Sequence, residues 1–93
     1  MRLKDKVAII VGAGQSPGEG MGNGRATVLR FAQEGAKVLA VDNKLVSAEE
    51  TAAMARQSGG ECAAFEADVT KEATLQAMVE DARRRWGRID ILH

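Results

Sequence analysis

Short apolar runs alternate along the chain with longer segments whose apolar residues recur every three or four positions. Val7-Ala8-Ile9-Ile10-Val11 contains no polar residue and stops at Gly12. A run of this kind predicts a strand buried on both faces, as parallel sheets require. From about Gly24, the segment from Arg25 to Glu34 carries a helical apolar stripe that stops at Gly35, a natural residue just past a helix end. Val38-Leu39-Ala40-Val41, closed by Asp42, predicts a second buried strand. Ser47 offers a cap for the next helix, with Glu49 and Glu50 in its first turn suiting the helix dipole, and that helix is expected to end near Gly59-Gly60. Cys62 to Ala67 reads as a third, weaker strand. Asp68-Val69-Thr70 leads into a helix striped by Leu75, Met78, Val79, Ala82 and Trp86. After Gly87, the segment Ile89 to His93 begins a fourth strand.

Strand and helix alternate throughout with no hairpin signal, which predicts right-handed crossovers and a parallel sheet. The expected fold class is therefore α/β: a doubly wound parallel sheet of the Rossmann kind, partial, running β-α-β-α-β-α-β with strand order 3-2-1-4. Ligands of such sheets bind in the crevice where the strand order reverses, between strands one and four. Residues 1–93 are read as a single half-domain that stops at the fourth strand. That strand would be an unpaired edge and one helix alone would cover the second face, so the chain is expected to belong to a longer protein and, by itself, to associate, as a homo-oligomer, or partly disorder.

Composition narrows the partners. Lys+Arg and Asp+Glu stand at 13 each. Basic residues are scattered apart from Arg83-Arg84-Arg85, which reads as a solvated helix face, so neither nucleic acid nor an anionic membrane is an expected partner. The apolar runs are too short to span a bilayer, no signal peptide is visible, and a cytoplasmic setting is the expectation. The single cysteine, Cys62, lies in an apolar stretch and reads as a buried, inert thiol.

The chemistry concentrates between the first strand and its helix. Gly12, Gly14, Gly18, Gly20, Gly22 and Gly24 fall in a stretch of Gly12-Ala13-Gly14-Gln15-Ser16-Pro17-Gly18-Glu19-Gly20-Met21-Gly22-Asn23-Gly24. Glycines here let a pyrophosphate approach backbone N–H groups at the positive end of a helix. The common Gly-x-Gly-x-x-Gly spacing is absent, because Pro17 and Arg25 stand where the third glycine would be.

The stretch resembles the fingerprint of the short-chain dehydrogenase/reductase family, Thr-Gly-x-x-x-Gly-x-Gly running into a helix that often starts Arg-Ala. Gly22-Asn23-Gly24-Arg25-Ala26 resembles its end and Gly12 its first glycine, with Val11 in place of the usual Thr and about six extra residues between. A literal Gly-x-x-x-Gly-x-Gly also occurs at Gly18, Gly22 and Gly24, but its first glycine is far from the strand, so an expanded loop from Gln15 to Met21 is the preferred reading.

The resemblance extends over essentially the whole chain. Asp42 ends the second strand about 20 residues after the glycines, where a carboxylate accepts from the adenosine ribose hydroxyls; capping a turn is the competing structural reading. With Asn43 rather than Arg next to it, this implies NAD in preference to NADP, although Lys44 leaves room for the latter. Asp68-Val69 resembles the family's pair bordering the adenine; an ordinary helix-start signal is the competing reading. Trp86 to Leu92 resembles the run into the fourth strand. The resemblance thus implies cofactor-binding roles for Gly12, Gly14, Gly22, Asn23, Gly24, Asp42, Asn43, Asp68 and Val69. It also implies hydride transfer to or from a small-molecule alcohol or carbonyl.

The family's catalytic Ser, Tyr and Lys are expected beyond the fourth strand. The chain has no tyrosine, no metal-ligand spacing and no catalytic triad, and its one histidine, His93, reads as a packed or edge residue. By itself it is expected to be inactive. A non-catalytic dinucleotide-binding module is the alternative. A Rossmann methyltransferase or flavoprotein domain would explain the first loop and Asp42 but not Arg25-Ala26, Asp68-Val69 and the fourth-strand pattern together.

Overall fold

The computed structural model describes residues 3–14, 23–67 and 72–93. Strand β1 (Val7–Val11) is followed by α1 (Asn23–Gln33), β2 (Lys37–Asp42), α2 (Leu45–Gln57), β3 (Glu61–Glu66), α3 (Glu72–Trp86) and β4 (Ile91–Leu92). The strands form one parallel sheet in the order β3-β2-β1-β4. This is the predicted α/β arrangement. Successive side chains point to opposite faces and both faces are covered, which is why the centres of β1 and β2 carry no polar alternation. Ala8, Ile10, Val38 and Ala40 face α1 and α2, packing with Val28, Ala32, Ala52 and Ala55. Ile9, Leu39 and Val41 face the other way, onto Met78 and Ala82 of α3.

Small residues set the closeness of the first layer. A Cβ at Gly60 would stand 2.7 Å from that of Ala32, so α1 and the turn after α2 meet with no room for a side chain. Gly35, just past α1, has φ 92°, a conformation that glycine adopts without steric cost. The second layer is thinner. Of the stripe read on α3, Met78 and Ala82 are buried and Val79 and Trp86 half-buried, but Leu75 remains 37% exposed. Among the described side chains of α3, Met78 and Ala82 are buried on the sheet with Val79 and Trp86 packed beside them, and Leu75 lies with Gln76, Val79, Glu80 and Arg83 along an open groove. The Arg83-Arg84-Arg85 run is exposed as expected, and Arg84 and Arg85 each reach back 2.7 Å to the buried carboxylate of Asp81.

The start of α2 corrects the reading of Ser47 as its cap. The helix begins at Leu45 with Lys44 at the N-cap position, no side chain caps it, and no acidic residue lies in its first turn. The reason lies upstream: the Asp42 carboxylate accepts the Lys44 N–H at 3.0 Å, a side-chain turn that starts the helix sooner. Glu49 and Glu50 therefore fall beyond the first turn, where Glu50 pairs with Arg25.

At the sheet edge, backbone pairing extends β4 in both directions. Asp90 N–H donates to the Val7 carbonyl, His93 N–H to Ile9, and Val11 N–H to the His93 carbonyl, each at 2.9 Å. The Asp90 carboxylate also accepts the Val7 N–H at 2.9 Å and the Arg88 guanidinium at 2.6 Å. These contacts, the Arg88 bond first and the Val7 N–H second, hold the Asp90 carboxyl below the usual carboxylate range. A lowered folded-state value contributes stability above the unfolded value near ~4 and loses it as the pH falls through the folded one. The difference in thermal midpoint between wild type and Asp90→Asn is thus expected to hold from about pH 7 to 5 and to close below about pH 4. A difference unchanged under strong acid would contradict this role.

Candidate dinucleotide-binding edge

Because all four strands run the same way, the C-terminal ends of β1 and β2 emerge on one side of the sheet, and the glycine turn lies there. Gly12 leaves β1 with φ +73°, a left-handed conformation that strains any other residue. Gly24, in the first turn of α1, sits directly on the Gly12 carbonyl. A Cβ at Gly24 would overlap that carbonyl and stand 3.0 Å from the Ala13 Cα. The helix start can approach the strand end this closely only as bare backbone. The first N–H groups of an α-helix have no intrahelical acceptor, and α1 carries no acidic residue in its first turn, so its start favours an anion.

Asp42 closes the other side. One carboxylate oxygen accepts the Gly14 N–H at 2.8 Å and the other the Lys44 N–H at 3.0 Å. Each oxygen has two lone pairs, so the group keeps capacity for further donors. Gly14 is wedged against it: a Cβ there would stand 2.7 Å from the Asp42 Oδ2 and collide with Ser47. Asn43 follows Asp42 on the exposed side.

Beneath this edge runs a set of contacts that sequence patterning does not predict. Thr51 of α2 is fully buried, and its hydroxyl donates to the Ala13 carbonyl at 2.8 Å. The Arg25 Nε donates to that hydroxyl at 2.9 Å, and Arg25 also pairs with Glu50 at 3.3 Å. The available signal was one polar residue on the otherwise alanine face of Ala48, Ala52 and Ala55.

The structure thus brings Gly12, Gly14, Gly24, Asp42 and Asn43 to one edge, with Asn23 as the first residue of α1. Gly22, Asp68, Val69 and the extra loop residues Gln15 to Met21 lie outside the described residues. His93 is exposed at the end of β4, edge-on to Phe31 with ring centroids 6.4 Å apart. Burial pushes the Cys62 thiol up to about 11, against a smaller opposing pull from Arg56, which leaves it protonated and unreactive near neutrality. Among the described residues no group of His, Cys, Asp and Glu could hold a metal ion, and no helix is long and apolar enough to cross a membrane.

Comparison with known proteins agrees with this geometry. The family model for short chain dehydrogenases matches residues 6–93. Curated relatives include the uncharacterized oxidoreductase YxbG of Bacillus subtilis (strain 168), 37% identical over 91 residues, which cover 98% of this chain and 31% of that protein. A sorbitol dehydrogenase of Cereibacter sphaeroides is 38% identical over 92 residues, covering 99% and 32% respectively. Among solved structures, a hydroxysteroid dehydrogenase from Escherichia coli superposes with TM-score 0.89 at 35% identity, over 98% of this chain and 36% of that one. The chain spans about a third of the length of the curated relatives it matches.

The contact between Gly24 and the Gly12 carbonyl generates a sharp expectation. Gly24→Ala should cost about 1–3 kcal/mol in denaturant unfolding through overpacking and should abolish anion binding at this edge, measured by titration with pyrophosphate. A Gly24→Ala chain of unchanged stability would show that the helix start does not bear on the turn.

Proposed function

Since the chain belongs to the short chain dehydrogenase family, we propose that it holds NAD across the C-terminal edge of its sheet. The reaction served would be hydride transfer between the nicotinamide and a small alcohol or carbonyl substrate. The observation that carries this reading is Asp42, a carboxylate at the end of β2 fixed to the glycine turn through the Gly14 N–H. Bound NAD would supply the hydride acceptor or donor.

The residues of this chain divide the remaining work. Gly12, Gly14, Gly22, Asn23 and Gly24 would bring backbone to the pyrophosphate, with the start of α1 favouring its charge. Asp42, with lone pairs left after its two amide contacts, would accept from the adenosine ribose hydroxyls, and Asn43 would border them. Asp68 and Val69 would flank the adenine. A 2′-phosphate would be set against the Asp42 charge, which favours NAD over NADP.

Proton transfer to the substrate oxygen needs a positioned acid or base. No tyrosine is present in these 93 residues, so we assign them binding and orientation of the dinucleotide, and assign the proton-transferring groups to other residues of the enzyme. The same absence favours the second reading, a module that binds a dinucleotide without turning it over. Adding an alcohol substrate with NAD to the 93-residue chain is expected to give no NADH under either.

Titration followed by NADH and NADPH fluorescence tests the cofactor assignment. NADH is expected to bind at least about tenfold tighter, a difference of ~1.4 kcal/mol, and Asp42→Ala should bring the two affinities together. Equal affinities in the unsubstituted chain, or a preference unmoved by Asp42→Ala, would overturn the ribose role.

A further inference from the structure

We propose that Thr51 is the positioning residue for Asp42, acting through a single peptide unit clamped between them. The proposal deepens the NAD reading and rests on it for its ligand. Thr51 and Asp81 are the two buried polar side chains among the described residues. On a face otherwise made of Ala48, Ala52 and Ala55, packing alone needs no hydroxyl, and a buried one requires partners.

Its partners fix the direction of its one proton. A guanidinium can only donate, so the Arg25 Nε at 2.9 Å occupies a lone pair of the Thr51 hydroxyl. The proton then goes to a carbonyl. The Ala13 oxygen at 2.8 Å is closer than that of Ser47 at 3.3 Å. Arg25 is itself restrained by Glu50, and its side chain is only 13% exposed.

The Ala13 carbonyl belongs to the same peptide plane as the Gly14 N–H, which donates to the Asp42 Oδ2 at 2.8 Å. In a trans peptide these two groups point in opposite directions. Thr51 therefore grips one end of the plane and Asp42 the other, while the Ala13 N–H donates to the Val41 carbonyl at 2.9 Å and anchors the preceding unit. Rotation of the Ala13–Gly14 peptide would break both grips together. A Cβ at Gly14 would stand 2.7 Å from the Asp42 Oδ2, so the peptide and the carboxylate meet with no side chain between them. Thr51 thus determines where the ribose acceptor sits without being one of the groups assigned to the ligand.

The test compares Thr51→Val, which keeps the shape and removes the hydroxyl, with Thr51→Ser, which restores the hydroxyl. Thr51→Ala, suited to a helix face already lined by alanine, serves as a second hydroxyl-free variant should the valine chain not fold. In Thr51→Val or Thr51→Ala, the NADH-over-NADPH preference is expected to fall by about tenfold and Gly14 amide hydrogen exchange to accelerate by a similar factor. Thr51→Ser should restore both. A purely structural role would lower the thermal midpoint and weaken both cofactors equally, and an unchanged preference ratio with folded hydroxyl-free variants would overturn the proposal. The exchange readout is independent of the ligand. If the unsubstituted chain shows no NADH preference, the cofactor reading fails, while Gly14 exchange in the variants still decides the clamp: acceleration reversed by serine supports it, and exchange as slow as wild type refutes it.

Discussion

The seating of the Gly24 backbone on the Gly12 carbonyl controls the geometry of the C-terminal edge. It sets how close α1 comes to the end of β1, and hence where the unpaired N–H groups of the helix start are presented. The same approach leaves the Ala13 carbonyl facing Thr51 and the Gly14 N–H facing Asp42. A side chain at Gly24 would push apart elements whose opposite faces are already committed to the core, whereas at Gly12 it is the left-handed backbone that favours glycine. Glycine is therefore required by packing at position 24 and by backbone conformation at position 12, whatever either contributes to binding.

Tolerance for so tight an edge comes from the layer beneath it. Alanines at 32, 36, 52 and 55 bring α1 and α2 onto Ala8, Ile10, Val38 and Ala40, so the helices lie near enough for Thr51 and Arg25 to meet. The other face is covered more sparsely, by the Met78 and Ala82 line of α3 with Trp86 at its end. Trp86 also donates its indole N–H to Glu61, tying the end of α3 to the start of β3. Structural weight and functional chemistry are thus separated: the apolar faces hold the sheet, and the polar contacts gather at its two ends.

Most of the fold was legible because both-face burial writes itself as uninterrupted apolar runs, clearest at Val7 to Val11 and Val38 to Val41. The place of Asp42 at the end of such a run, beside the glycine turn, was legible in the same way. What escaped were features set by the particular contacts that side chains make, near and far in the chain. Ser47 looked like a cap, yet Asp42 itself captures the Lys44 N–H and advances the helix start. Leu75 fitted the helical stripe, yet its period says nothing of how far the sheet extends beneath it. The Arg25–Thr51–Ala13 contacts join residues 26 and 38 positions apart, and no local pattern encodes them.

We propose the C-terminal edge of the sheet, organised by the Gly12–Gly24 contact, as a dinucleotide site. Amide NMR of the 93-residue chain during addition of NAD tests it most directly. Saturable shifts are expected at Gly12, Gly14, Gly24, Asp42 and Asn43, with the amides of α3 and the N-terminal ends of the strands little changed. Shifts centred elsewhere, or none at this edge at saturating NAD, would contradict it.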